Sequence, residues 1–377
     1  MKAVICAFAR SPFHFAKKGH LASVRPDELA SQVVKGLLQR CCVDPQLLDD
    51  LVLGCAYPEA SQGNNLGRIV GLLAGLPVEV GGMTVNRFCG SSMQAVHSAA
   101  AQIEAGMADA LLCVGVESMT MVPQGGFNFS PHPGLRERTD AYISMGETAE
   151  NVAARWQISR ADQEQLALAS HQKAAVARAE GRLSQEIVPV QLDDGTVVED
   201  DGCIRPGTSL EALAALKPAF RADGVVTAGT SSPLTDGAAA LLVCSDVFAS
   251  RHGIAPLARL RAFATVGVDP AVMGIGPVPA ALKALSRAGL LVGDLDVVEL
   301  HEAFASQALA CSRELHLDPA TINLDGGGLA IGHPLGATGA RIVGKAASLL
   351  VRQGGRFALA TQCIGGGQGI ATILERA

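Results

Sequence analysis

Short apolar runs of strand length alternate along the chain with longer Ala- and Leu-rich runs whose apolar positions recur at helical spacing. The strand-like runs include a segment starting near Ala3 and residues 50–54, 108–116, 296–300 and 357–361. Residues 26–39 and 279–288 read as amphipathic helices, each opened by a proline, where the missing N–H costs nothing. Strands alternating with helices predict the α/β class.

The pattern repeats. Asp50-Leu51-Val52 followed by Pro58-Glu59-Ala60-Ser61-Gln62 resembles Asp296-Val297-Val298 followed by the segment from Glu302 to Gln307. The block from Cys89 to Val96 parallels the one from Leu335 to Ile342, and the offset is 246 residues at both anchors, Asp50 to Asp296 and Gly90 to Gly336. A fixed offset across separate elements predicts a duplication, and its period is far too long for a solenoid. The expected division is residues 1–118 plus 226–247 as one half, an inserted domain over 119–225, and residues 248–377 as the second half. Within the insertion, Ser159-Arg160-Ala161-Asp162 predicts a capping box opening a helix that runs to about Gly181. Asp193-Asp194-Gly195 predicts a hairpin turn. The acidic Glu199-Asp200-Asp201 reads as a solvated loop.

Composition narrows the classes. The chain has 377 residues, 49% hydrophobic and 18% charged, which excludes disorder and leaves room for more than one core. Thirty Lys+Arg against 36 Asp+Glu give a net charge of −6, which lacks the electrostatic footprint of a nucleic-acid binder. No run approaches the ~18 apolar residues of a membrane span, and no signal peptide is recognisable, so a cytoplasmic protein is expected. The ten cysteines have no CxxC spacing and read as free thiols, without a metal site.

Four stretches carry candidate chemistry. In Asn86-Arg87-Phe88-Cys89-Gly90-Ser91-Ser92 a strand-like run gives way to a small-residue helix over residues 91 to about 104. Cys89 then lies at a helix N-terminus, where a thiolate is stabilised and a lowered pKa is expected; a buried structural cysteine is the alternative. The stretch from Asp325 to Gly336 is dense in glycine and holds His333 before Pro334, a candidate base for a cysteine. Cys363 directly precedes Gly365-Gly366-Gly367, a loop rich in N–H groups suited to an oxyanion hole. A fourth stretch, His301-Glu302-Ala303-Phe304, follows a predicted strand at the end where α/β sites gather. The glycines match neither GxGxxG nor a P-loop.

Together these motifs resemble those of the thiolase family over the whole chain. The Cys89 block resembles its nucleophile motif, Gly332-His333-Pro334 its GHP motif, and Cys363 to Gly369 its C-x-G-G-G-x-G motif. His301-Glu302-Ala303-Phe304 resembles its NEAF motif with His in place of Asn. The resemblance implies two βαβαβαββ halves in a five-layer αβαβα sandwich, with an inserted loop domain that binds CoA. It implies CoA-dependent cleavage of a 3-ketoacyl-CoA, with Cys89 as nucleophile, His333 as its base and Cys363 as the second acid and base. Both thiols would be tuned near neutral pH. One oxyanion site would be the N–H groups of Cys89 and Gly365, the other His333 with a water held by His301. If His301 titrates in the working range, an extra limb in the pH profile is expected. The family pattern places Ser232, Ala228, Ala303 and Phe304 along the pantetheine and Met145 near the acyl end, with Lys217 and Arg221 as candidates for the CoA phosphates. No cofactor is implied, since CoA is a substrate; a homodimer or homotetramer is, with a hydratase/dehydrogenase subunit as a further candidate partner.

Within the family, Ser144-Met145, Gln368 and His301 point to the degradative branch, whereas residues 264–273 resemble the biosynthetic acetoacetyl-CoA branch. A ketoacyl- or hydroxymethylglutaryl-type synthase is the second alternative, against which the second cysteine, Cys363, argues.

Overall fold

The computed structural model describes residues 2–377. The first half comprises β1 (Ala3–Arg10), β2 (His14–Phe15), α1 (Pro26–Cys41), β3 (Asp50–Gly54), α2 (Leu66–Leu73), β4 (Met83–Val85), α3 (Ser91–Glu104) and β5 (Ala110–Ser118). Then come α4 (Pro133–Arg136), α5 (Met145–Arg155), α6 (Arg160–Ala179), the hairpin β6 (Val190–Gln191) and β7 (Val197–Val198), and α7 (Leu210–Ala214). Strand β8 (Thr235–Ser245) returns to the first half and pairs with both β1 and β5. After α8 (Asp246–Arg251), the second half runs through β9 (Ala258–Gly267), α9 (Pro277–Ala288), β10 (Val297–Leu300), α10 (Ala305–Glu314), α11 (Gly328–Ile331), α12 (Thr338–Gln353), β11 (Phe357–Ile364) and β12 (Gln368–Arg376).

The two halves share one strand order. In the first it is β1-β8-β5-β3-β4, with β5 and β3 parallel; in the second it is β9-β12-β11-β10, with β11 and β10 parallel. The shared order is the structural form of the duplication. The halves join where β1 meets β9 at Val4 and Ile5.

Burial explains the layering. Strand β5 is buried along its whole length, because both faces of its sheet are covered. One core holds Val96 and Ile103 of α3 with Ile342 and Leu350 of α12, packed against inner faces of both halves. A second core lies under α1 and α2, and a third under α9 and α10. The result is five layers, helix–sheet–helix–sheet–helix. The small residues of α3 and α12 permit the close central contact: a Cβ on Gly339 would overlap the Met93 backbone.

Several predicted elements are found with shifted ends. Ser159 caps α6 by accepting from the Asp162 N–H at 3.1 Å. Helix α9 starts at Pro277, two residues earlier than the sequence pattern indicates. The acidic segment departs from expectation. Asp201 is buried, not solvated, and its carboxylate pairs in bidentate fashion with buried Arg10 at 2.7 and 2.8 Å. The Phe13 N–H donates to the same carboxylate at 2.8 Å. No helix among the described residues is long and apolar enough to cross a membrane.

Candidate active site

The turn that carries Cys89 is held in an uncommon conformation. Phe88 has φ 42°, in the left-handed region that bulky residues rarely adopt. The Asn86 side chain accepts from the Phe88 N–H at 2.8 Å, and the Ser91 hydroxyl donates to the Phe88 carbonyl at 2.6 Å. The Gln362 side-chain amide donates to the Cys89 carbonyl from the second half. Arg87 reaches the same half, donating to Gln368 Oε1 at 2.9 Å.

Cys89 packs with Ala16, Ala56, Tyr57, Met119 and Leu335. Burial pushes its thiol up to about 11, against a Gly365 N–H that bonds the sulfur and pulls it down. The lowered pKa expected from the helix N-terminus is therefore not found. Desolvation outweighs the N–H donors, and the resting group is a thiol.

His333 is buried, and its backbone N–H donates to Thr235 Oγ1 at 3.1 Å. Its Nδ1 lies 2.7 Å from the Thr338 hydroxyl. That hydroxyl donates its only proton to the Pro334 carbonyl at 3.0 Å. With the proton so placed the hydroxyl accepts from His333, an assignment that puts the imidazole proton on Nδ1 and leaves Nε2 a free lone pair. Burial, then the charge of Arg341, lower the His333 pKa to about 3, so the imidazole is neutral at working pH.

His301 lies beside it, with ring centroids 4.0 Å apart and the rings tilted 48° to each other. It is buried at the end of β10, and neither ring nitrogen has a hydrogen-bond partner among the described residues. Burial, then His333 and Arg341, push its pKa well below the ordinary histidine value. The condition for an extra limb in the pH profile is therefore not met: His301 is neutral in the working range. Gly328 is required at its side, since a Cβ there would come within 2.6 Å of the ring. Next to it, Glu302 accepts from Asn323 at 2.8 Å, Ser170 at 2.7 Å and the Leu329 N–H at 3.2 Å, which pins the glycine-rich loop to β10 and α6.

Cys363 ends β11 just before a turn in which Gly366 and Gly367 have φ 78° and 85°, values that glycine adopts freely. It lies in a cluster with Ala149, Val226, Met273, Ala303, Phe304 and Met145. Burial, then Cys89 and Cys311, raise its pKa well above the ordinary thiol value. The tuning of both thiols near neutrality is likewise not found. Met145 also flanks Gly365, 3.4 Å from where a Cβ would stand.

The structure thus brings Cys89, Cys363 and Gly365 together with Met145, Ala303 and Phe304, and sets His301 against His333, on the loop whose Leu335 packs beside Cys89. The Ser232 N–H donates to the Ala303 carbonyl at 2.9 Å, which sets Ser232 beside this group. Ala228 is exposed on a short 3-10 turn, and Lys217 is exposed without an ion pair among the described residues. Arg221 is already engaged, donating to Glu147 at 2.6 Å and Asn151 at 2.7 Å. Sequence reasoning missed Thr338, Met273 and Glu117. For Glu117 there was a signal, a lone carboxylate at the end of the most apolar predicted strand.

Two family models match the chain. The thiolase N-terminal domain covers residues 3–247, and the thiolase C-terminal domain covers residues 254–376. A 3-ketoacyl-CoA thiolase of Bacillus subtilis is 45% identical, with 99% of both chains covered. A 3-oxoadipyl-CoA/3-oxo-5,6-dehydrosuberyl-CoA thiolase of Escherichia coli is 46% identical, covering 100% of this chain and 99% of its own. The crystal structure of human mitochondrial 3-ketoacyl-CoA thiolase superimposes with a TM-score of 0.92 at 37% identity, covering 100% of this chain and 99% of that one. The structure of that human enzyme in complex with CoA gives the same TM-score and identity. With both family models matched and relatives aligned over nearly their whole length, this chain belongs to the thiolase family.

Proposed function

We propose that the protein cleaves 3-ketoacyl-CoA with free CoA, giving acetyl-CoA and an acyl-CoA shortened by two carbons. The observation that carries this reading is the meeting of two thiols, Cys89 and Cys363, with the Gly365 N–H and a neutral imidazole whose Nε2 is free. His333 Nε2 takes the Cys89 proton as the sulfur attacks the 3-keto carbon. The Cα–Cβ bond breaks, and its electron pair passes to Cα as the enolate of acetyl-CoA. Cys363 protonates that carbon. Its raised pKa suits the task, since a weakly acidic thiol stays protonated until a strong base meets it. The resulting Cys363 thiolate takes the proton of incoming CoA. CoA then attacks the acyl-Cys89 thioester, and His333 returns its proton to Cys89.

Two oxygens gather charge along this path. The N–H groups of Cys89 and Gly365 serve the oxygen of the acyl group on Cys89. His333, with a water on His301, serves the thioester oxygen of the leaving enolate. A neutral imidazole supplies one N–H, enough to hold one water. We place CoA against Ser232, Ala228, Ala303, Phe304 and the inserted segment 119–225, with Lys217 free for a phosphate. The apolar residues packed beside Cys89, namely Ala16, Ala56, Tyr57, Met119 and Leu335, favour an alkyl acyl group. Cytoplasmic location and a homodimer or homotetramer belong to the same proposal; light scattering tests the assembly.

The test is CoA-dependent thiolysis of acetoacetyl-CoA beside a long-chain 3-ketoacyl-CoA. Cleavage of both, or mainly of the longer, is expected. Activity on acetoacetyl-CoA alone moves the protein to the biosynthetic branch, and activity on neither refutes the reading. Cys89→Ala is expected to abolish turnover while CoA still binds, which calorimetry checks.

A further inference from the structure

Glu117 is the penultimate residue of β5, fully buried, and no step above uses it. Its carboxylate accepts from the backbone N–H of Ala56 at 2.8 Å, of Tyr57 at 3.2 Å and of Gly336 at 2.9 Å. The Gln62 side chain donates to it at 2.8 Å, and the Cys55 thiol lies 3.6 Å away. Gln62 is itself fixed, accepting from the Ser118 N–H at 2.6 Å and donating to the Tyr57 carbonyl at 2.8 Å. Burial raises the Glu117 pKa above the ordinary carboxylate value, and the Ala56, Tyr57 and Gly336 N–H groups with Gln62 pull it back down; every group around it is a donor, an arrangement that suits the ionised form.

These donors come from two places. Ala56 and Tyr57 form part of the wall of Cys89. Gly336 belongs to the loop of His333, which the second half contributes. That loop presses directly on the first half. A Cβ on Gly336 would come within 2.8 Å of the Gly54 carbonyl, and one on Gly115 would overlap the Gly336 carbonyl. Leu335, beside Gly336, touches the Cys89 pocket as well. One carboxylate therefore bonds the wall of the nucleophile on one side and the loop of the base on the other. The duplication gives a second, independent pointer. An offset of 246 residues puts Glu117 at the strand end equivalent to Cys363, so the two halves place a carboxylate and a reactive thiol at matching positions.

We propose that Glu117 is a positioning residue for thiolysis: it locks the His333 loop against the Cys89 pocket. This rests on the assignment of Cys89 and His333 made above. The titratable groups facing Cys89 are Glu117, Tyr57, Cys363 and its proposed base His333, which is neutral at rest. Tyr57, pushed up to about 12 by burial, stays neutral, and Cys363 is a thiol at rest. Glu117 is the group whose removal changes the charge at the Cys89 sulfur at neutral pH, and it adds to the burial that raises the thiol.

The test compares Glu117→Gln and Glu117→Asp with the wild type in three readouts. These are steady-state thiolysis, the pH profile of Cys89 alkylation by iodoacetamide, and acyl-Cys89 formation by intact mass. Gln removes the charge and turns an amide N–H toward other donors. It is expected to lower kcat about tenfold or more with KM changed less than about twofold, while alkylation at a fixed pH becomes faster. Asp keeps the charge but shortens the reach. It is expected to lower kcat and leave the alkylation profile at the wild-type pH. A Gln variant with wild-type kcat overturns the proposal, as does a Gln variant with an unshifted alkylation profile. If the Gln variant does not fold, Glu117→Asp decides alone, because wild-type kcat in it removes the positioning role. Absence of an acyl adduct on wild-type Cys89 refutes the underlying assignment instead, and is seen before any variant is made.

Discussion

At the scale of single residues, the site rests with its protons parked on neutral groups. The Cys89 thiol is held at about 11 and His333 at about 3, so across the working range a thiol faces a neutral imidazole. The sign of the pH dependence follows. The thiolate fraction of free Cys89 grows with pH, so its alkylation rate is expected to rise about tenfold per pH unit through neutrality and level off near 11. A plateau already below pH 8 would contradict this. In the proposed mechanism turnover avoids that dependence, because His333 removes the proton during attack. Its base function is present above its own pKa and lost below it. Thr338 fixes which nitrogen does this. Thr338→Val deletes the acceptor for Nδ1–H and is expected to lower kcat by tenfold or more, within the ~10⁴ that general base catalysis supplies, whereas Thr338→Ser restores it. Equal kcat in both variants would remove Thr338 from the account. Cys89, His333 and Cys363 could be picked out as candidates in the sequence because each sits in a short glycine-rich motif. Thr338 could not, since a threonine among small residues carries no signal until His333 is seen to bond it. The direction of the thiol shifts was also hidden. The residues that bury Cys89 come from positions as distant as Ala16, Met119 and Leu335.

At the scale of elements, glycines set the distances that the chemistry needs. Gly339 lets α12 approach the start of α3, where the Ser92 hydroxyl accepts from the Ala340 N–H at 2.8 Å. Helices α3 and α12 thus begin side by side, with Cys89 just ahead of one and His333 just ahead of the other. Gly339→Ala would drive a Cβ into the Met93 backbone, an overpacking that costs about 1–3 kcal/mol. Urea denaturation checks it, and an unchanged midpoint would contradict the tight contact. The helix over α6 was readable from its Ser159 cap, and the strand ends from their apolar runs. The acidic segment at Asp201 was not, because only the folded chain shows that Arg10 is buried against it. A charged run at the sequence level cannot tell a solvated loop from an acceptor for a buried guanidinium.

At the scale of the whole molecule, buried charges tie the inserted segment to both halves. Arg10 of β1 pairs with Glu186 and Asp201 of the insertion, and Lys345 of α12 pairs with Glu186 and Asp325. Removing one partner strands a buried charge, so Asp201→Ala is expected to cost about 3 kcal/mol or more in a denaturation midpoint measurement. A cost under about 1 kcal/mol would show that the network carries little. Burial pushes the Glu186 and Asp325 carboxyls up, but Lys345 with Arg10, and Arg352 with Lys345, more than reverse it and hold both below the usual range. Their stabilisation is present above the ordinary carboxylate pKa and lost as pH falls through the folded values. The duplication itself was legible, because its 246-residue offset survives in the motifs. The way the inserted segment lies over the second half was not, since no local pattern records that Ser170 of α6 would reach Glu302.

The central claim is an acyl group on Cys89. Intact-protein and peptide mass spectrometry after mixing the enzyme with a 3-ketoacyl-CoA, without free CoA, tests it most directly. The account predicts a mass gain equal to the shortened acyl group, mapped to the Cys89 peptide, absent from Cys89→Ala and discharged on adding CoA. In Cys363→Ala, an acyl-CoA is expected still to load Cys89, although carbon–carbon cleavage stops. No adduct on the wild type, or an adduct mapped to Cys363, would contradict the account.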